Sequence, residues 1–139
     1  MQEEALSNNI IRKITHLCDK GDAFYEDLKL EEAIETYQKA LDLLPEPFIE
    51  WEISSYLTIS IADAYFYLRN FEEVSAFMEI ALLTPEGLEN PLVHLRLGQA
   101  YIELGETEKG KKSLQKAFDM EGEDLFSDDD PKYLAFVNP

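Results

Sequence analysis

The chain of 139 residues and 16.0 kDa is long enough for one domain with a sizeable core and too short for two. Twelve Lys and Arg against 29 Asp and Glu give a net charge of −17, yet 45% of residues are hydrophobic and 12% aromatic. That balance excludes a disordered acidic tail and also a protein that grips nucleic acid through its phosphates. The single cysteine, Cys18, excludes an internal disulfide framework. The segment Met1-Gln2-Glu3-Glu4-Ala5-Leu6-Ser7 lacks the basic region and apolar stretch of a secretory signal, so a cytoplasmic, reducing setting is expected.

Along the chain, apolar residues recur at helical spacing, as in Ile34, Tyr37, Leu41 and Leu44, or Leu97, Ala100, Tyr101 and Leu104. No stretch alternates like a strand. Breaks near Leu28-Lys29, Pro45-Glu46-Pro47, Arg69-Asn70, Pro85-Glu86-Gly87, Gly105 and Gly122 predict six helices, each of roughly 13 to 20 residues, arranged as three hairpins. The most apolar run, Tyr56 to Leu68, is interrupted by Asp63 and falls short of the ~20 residues that span a bilayer, so a soluble protein with no membrane partner is expected. A helix from about Phe48 to Leu68, apolar on more than one side, is predicted to be the central element.

The chain repeats itself. In the first hairpin Gly21, Phe24, Ala33, Tyr37, Ala40 and Pro45 are separated by 3, 9, 4, 3 and 5 residues. Ala62, Tyr65, Val74, Met78 and Ala81 keep the first four intervals in the second hairpin, and Gly98, Tyr101, Gly110, Leu114 and Ala117 keep them in the third. Small residues let two antiparallel helices approach closely, and the large partners fill the space between hairpins. These positions are predicted core.

This spacing resembles the tetratricopeptide repeat. The resemblance implies an all-α, right-handed solenoid of three helical hairpins plus a short C-terminal capping helix. A single domain would span residues 1–139, with repeats at about 14–47, 55–88 and 91–124 and the cap at 130–138. The early Trp of each unit is missing, with Leu17, Thr58 and His94 in its place, and the units are separated by 41 and then 36 residues. The extra residues fall in Glu46–Ile53 and Glu86–Asn90. At the C-terminal end Asp130 suits an N-cap and Pro131 the first helical position, with Tyr133, Phe136 and Val137 on one face to cover the last hairpin.

Nothing in the sequence forms a catalytic set, so no enzyme activity and no cofactor are expected. His16 and His94 lie far apart, and His16 and Cys18 diverge by about 200° around one helix, which argues against a shared metal or a Cys–His nucleophile. Cys18 suits a structural thiol. The acids Glu121, Glu123, Asp124, Asp128, Asp129 and Asp130 lack the alternating loop and distant Glu of a calcium site, so no metal is expected.

Surface recognition is what remains. The first helix of each hairpin would line a groove, projecting Cys18, Asp22, Tyr25 and Glu26, then Ile59, Asp63, Phe66 and Tyr67, then Leu95, Gln99, Ile102 and Glu103. From these, Asp22, Tyr25, Glu26, Asp63, Phe66, Tyr67, Gln99, Ile102 and Glu103 are the candidate partner-binding residues. An acidic groove with an aromatic floor predicts a basic protein or peptide partner, through charge pairing and cation–π contacts. Tetratricopeptide domains that bind chaperone C-termini hold the carboxylate with Lys and Asn; Cys18, Asp22, Asp63 and Gln99 stand in those places, which would repel it. Lys109, Lys111, Lys112 and Lys116 concentrate on the last repeat helix, so weak head-to-tail self-association with the acidic middle is a further expectation.

The ending Gly122-Glu123-Asp124-Leu125-Phe126-Ser127-Asp128-Asp129-Asp130-Pro131-Lys132-Tyr133, within Leu97 to Val137, resembles small bacterial tetratricopeptide proteins of toxin systems, held to act as immunity proteins. That resemblance implies a cytoplasmic inhibitor of a basic toxin domain. The alternative is a scaffold or chaperone-like adaptor that holds an extended peptide.

Overall fold

The structure, a computed structural model, describes residues 6–138. Six α-helices follow one another: α1 (Asn8–Glu26), α2 (Leu30–Asp42), α3 (Glu52–Tyr67), α4 (Phe71–Ala81), α5 (Pro91–Glu103) and α6 (Thr107–Glu121). They pair as three antiparallel hairpins, and each hairpin stacks on the next through α2 against α3 and α4 against α5. The all-α arrangement of hairpins with a short terminal cap is the one the sequence predicts.

Three of the helices, α1, α4 and α5, start at a short polar side chain that accepts from a free backbone N–H group. Ser7 accepts from Ile10 N, Asn70 from Glu73 N, and Asn90 from Leu92 N with Pro91 in the first turn. Each hairpin then closes with the same backbone turn. Leu28, Arg69 and Gly105 hold φ of 62°, 61° and 84°, and the next residue's N–H returns to the carbonyl of Phe24, Tyr65 and Tyr101 in turn. These left-handed residues are 41 and then 36 positions apart, the same period as the small-residue positions. Only the third is a glycine. A left-handed Leu costs about 1 kcal/mol, and Leu28 is 78% exposed with little packing to lose. Leu28→Gly is therefore expected to raise the melting temperature by roughly 2–4 °C; a lower value in a thermal melt would show that Leu28 packs after all.

Close helix approach explains the small residues. A Cβ on Gly98 would lie 2.9 Å from Leu114 N, and one on Gly110 would lie 3.0 Å from the Gly98 carbonyl oxygen, so α5 and α6 touch backbone to backbone there. A Cβ on Gly21 would strike the Tyr37 ring at 2.6 Å. Three buried clusters result: Ala33, Tyr37 and Ala40 with Leu57 and Ile61; Ala62, Val74, Met78 and Ala81 with Val93 and Leu97; and Leu95, Leu114 and Ala117 with Phe126, Tyr133 and Val137. α3 contributes to the first two and touches α2, α4 and α5, as expected of a central helix. Tyr56 on α3 is nevertheless 42% exposed.

Two details differ from the expectation. The extra residues before α3 form a 3₁₀ turn, Phe48–Glu50, with the Trp51 indole N–H donating to the Pro45 carbonyl. The cap consists of two 3₁₀ segments, Glu123–Phe126 and Pro131–Phe136, rather than one α-helix; Gly122 at φ 84° turns the chain back sharply, and six residues are too few to favour an α-helical nucleus. Asp130 caps the second segment by accepting from Lys132 N. Phe126, Tyr133 and Val137 are buried against α5 and α6, and Phe136 is half-buried. No helix among the described residues is long and apolar enough to cross a membrane.

Candidate functional site

Hydrogen bonds that join α1 to α3, and α3 to α5, show that the first helices of the three hairpins lie side by side. A cleft of about 360 Å³ opens on this face, lined by Asp22, Tyr25 and Glu26 of α1, Tyr37 of α2, Tyr56, Ile59, Ser60 and Asp63 of α3, and Leu92 of α5. Its walls are tyrosine rings and aliphatic side chains. Two of its three acids are engaged: Tyr37 and Tyr56 both donate to Asp22 Oδ1, and Tyr25 donates to Asp63 Oδ2. No donor among the described residues is bonded to Asp22 Oδ2, which remains an acceptor beside the cleft.

The same device recurs elsewhere, with Tyr101 donating to Glu79 and Tyr133 to Glu103. Burial, followed by the carboxylate acceptor, pushes the phenols of Tyr25, Tyr37, Tyr56, Tyr101 and Tyr133 above their ordinary value of 10.0. A group whose folded-state pKa is raised contributes stability that is complete below its unfolded pKa and is lost as pH rises toward the folded one. Stability should hold up to about pH 10 and then fall, with tyrosinate absorbance appearing together with loss of helical ellipticity. Tyrosines that ionise at the ordinary pH while the helices persist would contradict these bonds.

Beside the cleft lies a buried cation that the groove projection missed. Arg96 of α5 is 5% exposed. Its Nε donates to Asp63 Oδ1 at 2.7 Å, Nη1 to Gln99 Oε1 at 2.9 Å and to Asp129 Oδ2 at 3.1 Å, and Nη2 to the Tyr67 hydroxyl at 3.1 Å. Gln99 Nε2 also donates to Asp129 Oδ2, at 3.0 Å, and the guanidinium lies 4.0 Å over the Phe66 ring. Burial pulls the guanidinium pKa down, but Asp63 and Asp129 more than offset it, so the net shift is upward and the charge persists. The available signal was a lone basic residue inside the apolar run Leu92 to Leu97, three positions before Gln99 and hence on its face.

The candidate residues thus separate. Asp22, Tyr25, Glu26 and Asp63 meet in the cleft. Phe66 supports Arg96, and Tyr67 is 52% exposed at the edge, with its ring set edge-on to both Tyr25 and Phe66. Gln99 is fully buried within the Arg96 network, so it presents nothing to a partner. Ile102 turns to the α6 side, in the space that a Gly110 side chain would need. Glu103 ties down the cap, accepting from Tyr133 and pairing with Lys132. Cys18 and Leu95, also projected into the groove, are buried, and burial followed by Asp22 and Asp19 raises the Cys18 thiol to about 11. His94 is buried with Nε2 bonded to the Leu88 carbonyl at 2.8 Å, and His16 is exposed on α1. Among the described residues no group of three or more His, Cys, Asp or Glu side chains is arranged to hold a metal. On α6, Lys109 and Lys111 pair with Glu106 and Glu108 one turn earlier.

The tetratricopeptide repeat profile matches residues 17–47 and 93–124. The middle hairpin, which follows the longer insertion, lies outside the match. No curated protein matches the sequence. Among solved structures, the first tetratricopeptide domain of Spaghetti (RPAP3), bound to the HSP90 peptide SRMEEVD, is similar with a TM-score of 0.72 at 22% identity, over 90% of each chain. The second such domain of human RPAP3, in complex with the HSP70 peptide SGPTIEEVD, has a TM-score of 0.69 at 19% identity, over 91% of this chain and 93% of that one. The N-terminal domain of stress-induced protein-1 from C. elegans has a TM-score of 0.69 at 19% identity, over 94% and 98%.

The expected basic partner is corrected by these findings. The similar domains that are seen with a peptide hold acidic ones, SRMEEVD and SGPTIEEVD. Physically, the groove is less acidic than its composition, because part of its carboxylate charge is paired within the fold. Asp63 is paired with Arg96 and Glu103 with Lys132, so two of its carboxylate charges are compensated within the fold, whereas Asp22, bonded to two neutral phenols, and Glu26 keep theirs.

Proposed function

We propose that this chain, which carries tetratricopeptide repeats, is a non-catalytic adaptor that holds an extended peptide along the α1–α3–α5 face. The observation that carries this reading is the cleft shared by Asp22, Tyr25, Tyr56, Ile59, Ser60 and Leu92, supplied by the first helices of three successive hairpins. An extended chain advances ~3.3 Å per residue and needs apolar contacts for alternate side chains together with partners for its backbone N–H groups. Tyrosine rings, Ile59 and Leu92 offer the first, and Asp22 Oδ2 and the Ser60 hydroxyl offer the second. The tyrosine hydroxyls are already oriented by their carboxylates, which lowers the ordering cost of binding. The peptide-bound state of similar domains supports this reading over that of a toxin-immunity inhibitor, which rests on the resemblance of the C-terminal stretch alone. We place the adaptor in the cytoplasm.

Selection of binders from a display library of unbiased linear peptides tests the reading. Selected peptides should lose at least about tenfold in affinity for the Ile59→Glu variant, in which a carboxylate occupies the apolar floor, measured at a temperature where circular dichroism shows that variant folded. A library that yields no linear binder, or binders indifferent to Ile59→Glu, would overturn it.

A further inference from the structure

We propose that the cleft lined by Asp22, Tyr25, Tyr37 and Tyr56 binds a small-molecule quaternary ammonium, a cation whose nitrogen carries four carbon substituents and no N–H. This goes beyond the adaptor reading and does not rest on it. Three features lead there. The first is an aromatic enclosure: Tyr25, Tyr37 and Tyr56 all line the cleft of about 360 Å³, within the roughly 300–1,000 Å³ usual for small-molecule sites. The planes of Tyr37 and Tyr56 stand at 86° with centroids 6.4 Å apart, so the rings form two walls rather than a stack, and a cation within about 6 Å of both centroids is attracted by both. Each of the three phenols donates to a carboxylate, Tyr37 and Tyr56 to Asp22 and Tyr25 to Asp63, which fixes the rings and shifts electron density onto them. The second feature is charge. No Lys, Arg or His lines the cleft, and Asp63 is compensated by Arg96, but Asp22 and Glu26 keep their charges and leave the walls negative. The third is a shortage of acceptors, and it selects the kind of cation. Asp22 Oδ1 is taken by two phenols, Asp63 by Tyr25 and Arg96, and Glu26 is exposed to solvent, so among the described residues Asp22 Oδ2 is the one carboxylate oxygen within the walls without a donor. An ammonium brings three N–H groups and a guanidinium five, and each is costly to desolvate without an acceptor. A quaternary ammonium brings none and needs only negative potential and aromatic faces. The cleft therefore favours it over a Lys or Arg side chain.

The test is a calorimetric titration of the full chain with choline at constant ionic strength. Two further probes accompany it: the neutral isostere in which carbon replaces the choline nitrogen, which keeps the shape and loses the charge, and ethanolamine, which keeps the charge and exposes three N–H groups. Choline should bind at least about tenfold more tightly than either. Tyr56→Leu, which removes one wall and keeps apolar bulk, should lose at least about tenfold in choline affinity, whereas Tyr56→Phe, which keeps the ring, should stay within about threefold. Equal binding of the isostere would mean apolar filling alone, and equal binding of ethanolamine would mean general attraction to an acidic chain. An unchanged Tyr56→Leu variant would put the site elsewhere, a Tyr56→Phe loss as large as that of Tyr56→Leu would assign the effect to the Asp22 bond instead of the ring, and no saturable choline binding would mean no site. Each of these results overturns the proposal. The adaptor reading stands or falls separately, because Ile59-dependent library peptides are sought without choline. Tyr56 is 42% exposed, so both variants should fold. Should circular dichroism show Tyr56→Leu unfolded, the wild type decides by NMR. Choline must shift the ring resonances of Tyr25, Tyr37 and Tyr56 and spare Tyr101 and Tyr133, which also donate to carboxylates but do not line the cleft; shifts at all five rings, or at none, would overturn the proposal equally.

Discussion

Replacing Arg96 with Met is expected to cost about 3–5 kcal/mol of folding stability, which lowers the melting temperature by roughly 10 °C or more. The side chain of Arg96 is 7% exposed, and those of its two acids are 17% and 9% exposed. Methionine fills much of the same volume, so the loss is not chiefly a cavity. It comes from leaving Asp63 and Asp129 without a counter-ion in a site from which water is largely excluded. Introducing Asp63→Asn and Asp129→Asn into Arg96→Met should accordingly restore most of the lost stability, because the triple variant buries no uncompensated charge. Arg96→Lys should fall between the two, since one ammonium on a flexible stem cannot reach Asp63, Asp129 and Tyr67 together or lie flat over Phe66. A small loss in the single variant, or a triple variant no better than the single, would show that the network contributes little.

How much of this was legible in the sequence follows from the range over which each feature is encoded. The three hairpins were legible because Gly21 and Tyr37, or Gly98 and Leu114, record a helix-to-helix contact 16 residues apart, and that spacing recurs in each unit. Repetition turned a weak local signal into a register. The site was legible in part. Projection brought Asp22, Tyr25, Glu26 and Asp63 to one face, and they do share a cleft. It failed for Gln99 and Ile102, because a face of a helix packed on several sides is not an exposed face, and α5 is buried without interruption from Val93 to Tyr101. It failed more seriously in treating Asp63 and Glu103 as free charges and Asp22 as an acid without partners. Their partners lie 15 to 38 positions away, in Tyr37, Tyr25, Tyr56, Arg96 and Tyr133, and no short-range pattern specifies which phenol will reach which carboxylate. The −17 net charge therefore described the chain without describing the groove. The capping segment was found through Asp130 and Pro131, but its 3₁₀ form depends on the sharp turn at Gly122 and on docking against α6, which are not local properties.

Ala40→Asp is expected to abolish folding under ordinary conditions, while Lys39→Asp one position earlier changes stability by no more than about 0.5 kcal/mol. Ala40 has no exposed surface and lies in the cluster of Ile14, Tyr37, Leu41, Leu57 and Ile61, where α2 is held between α1 and α3. A carboxylate there would be enclosed by aliphatic and aromatic groups, with the Tyr37 hydroxyl already committed to Asp22. The alternatives are to ionise without solvation, to stay protonated at a cost that grows with pH, or to push α2 away from its neighbours. Each exceeds about 4 kcal/mol, against a total stability of roughly 5–15 kcal/mol for a domain of this kind. Circular dichroism separates the outcomes, because the unfolded variant should regain helical signal at acid pH, where the introduced carboxyl is neutral, only if desolvation of charge is the dominant cost. A variant that melts near the wild-type temperature at neutral pH would place Ala40 at the surface and break the repeat register on which the α1–α3–α5 face depends.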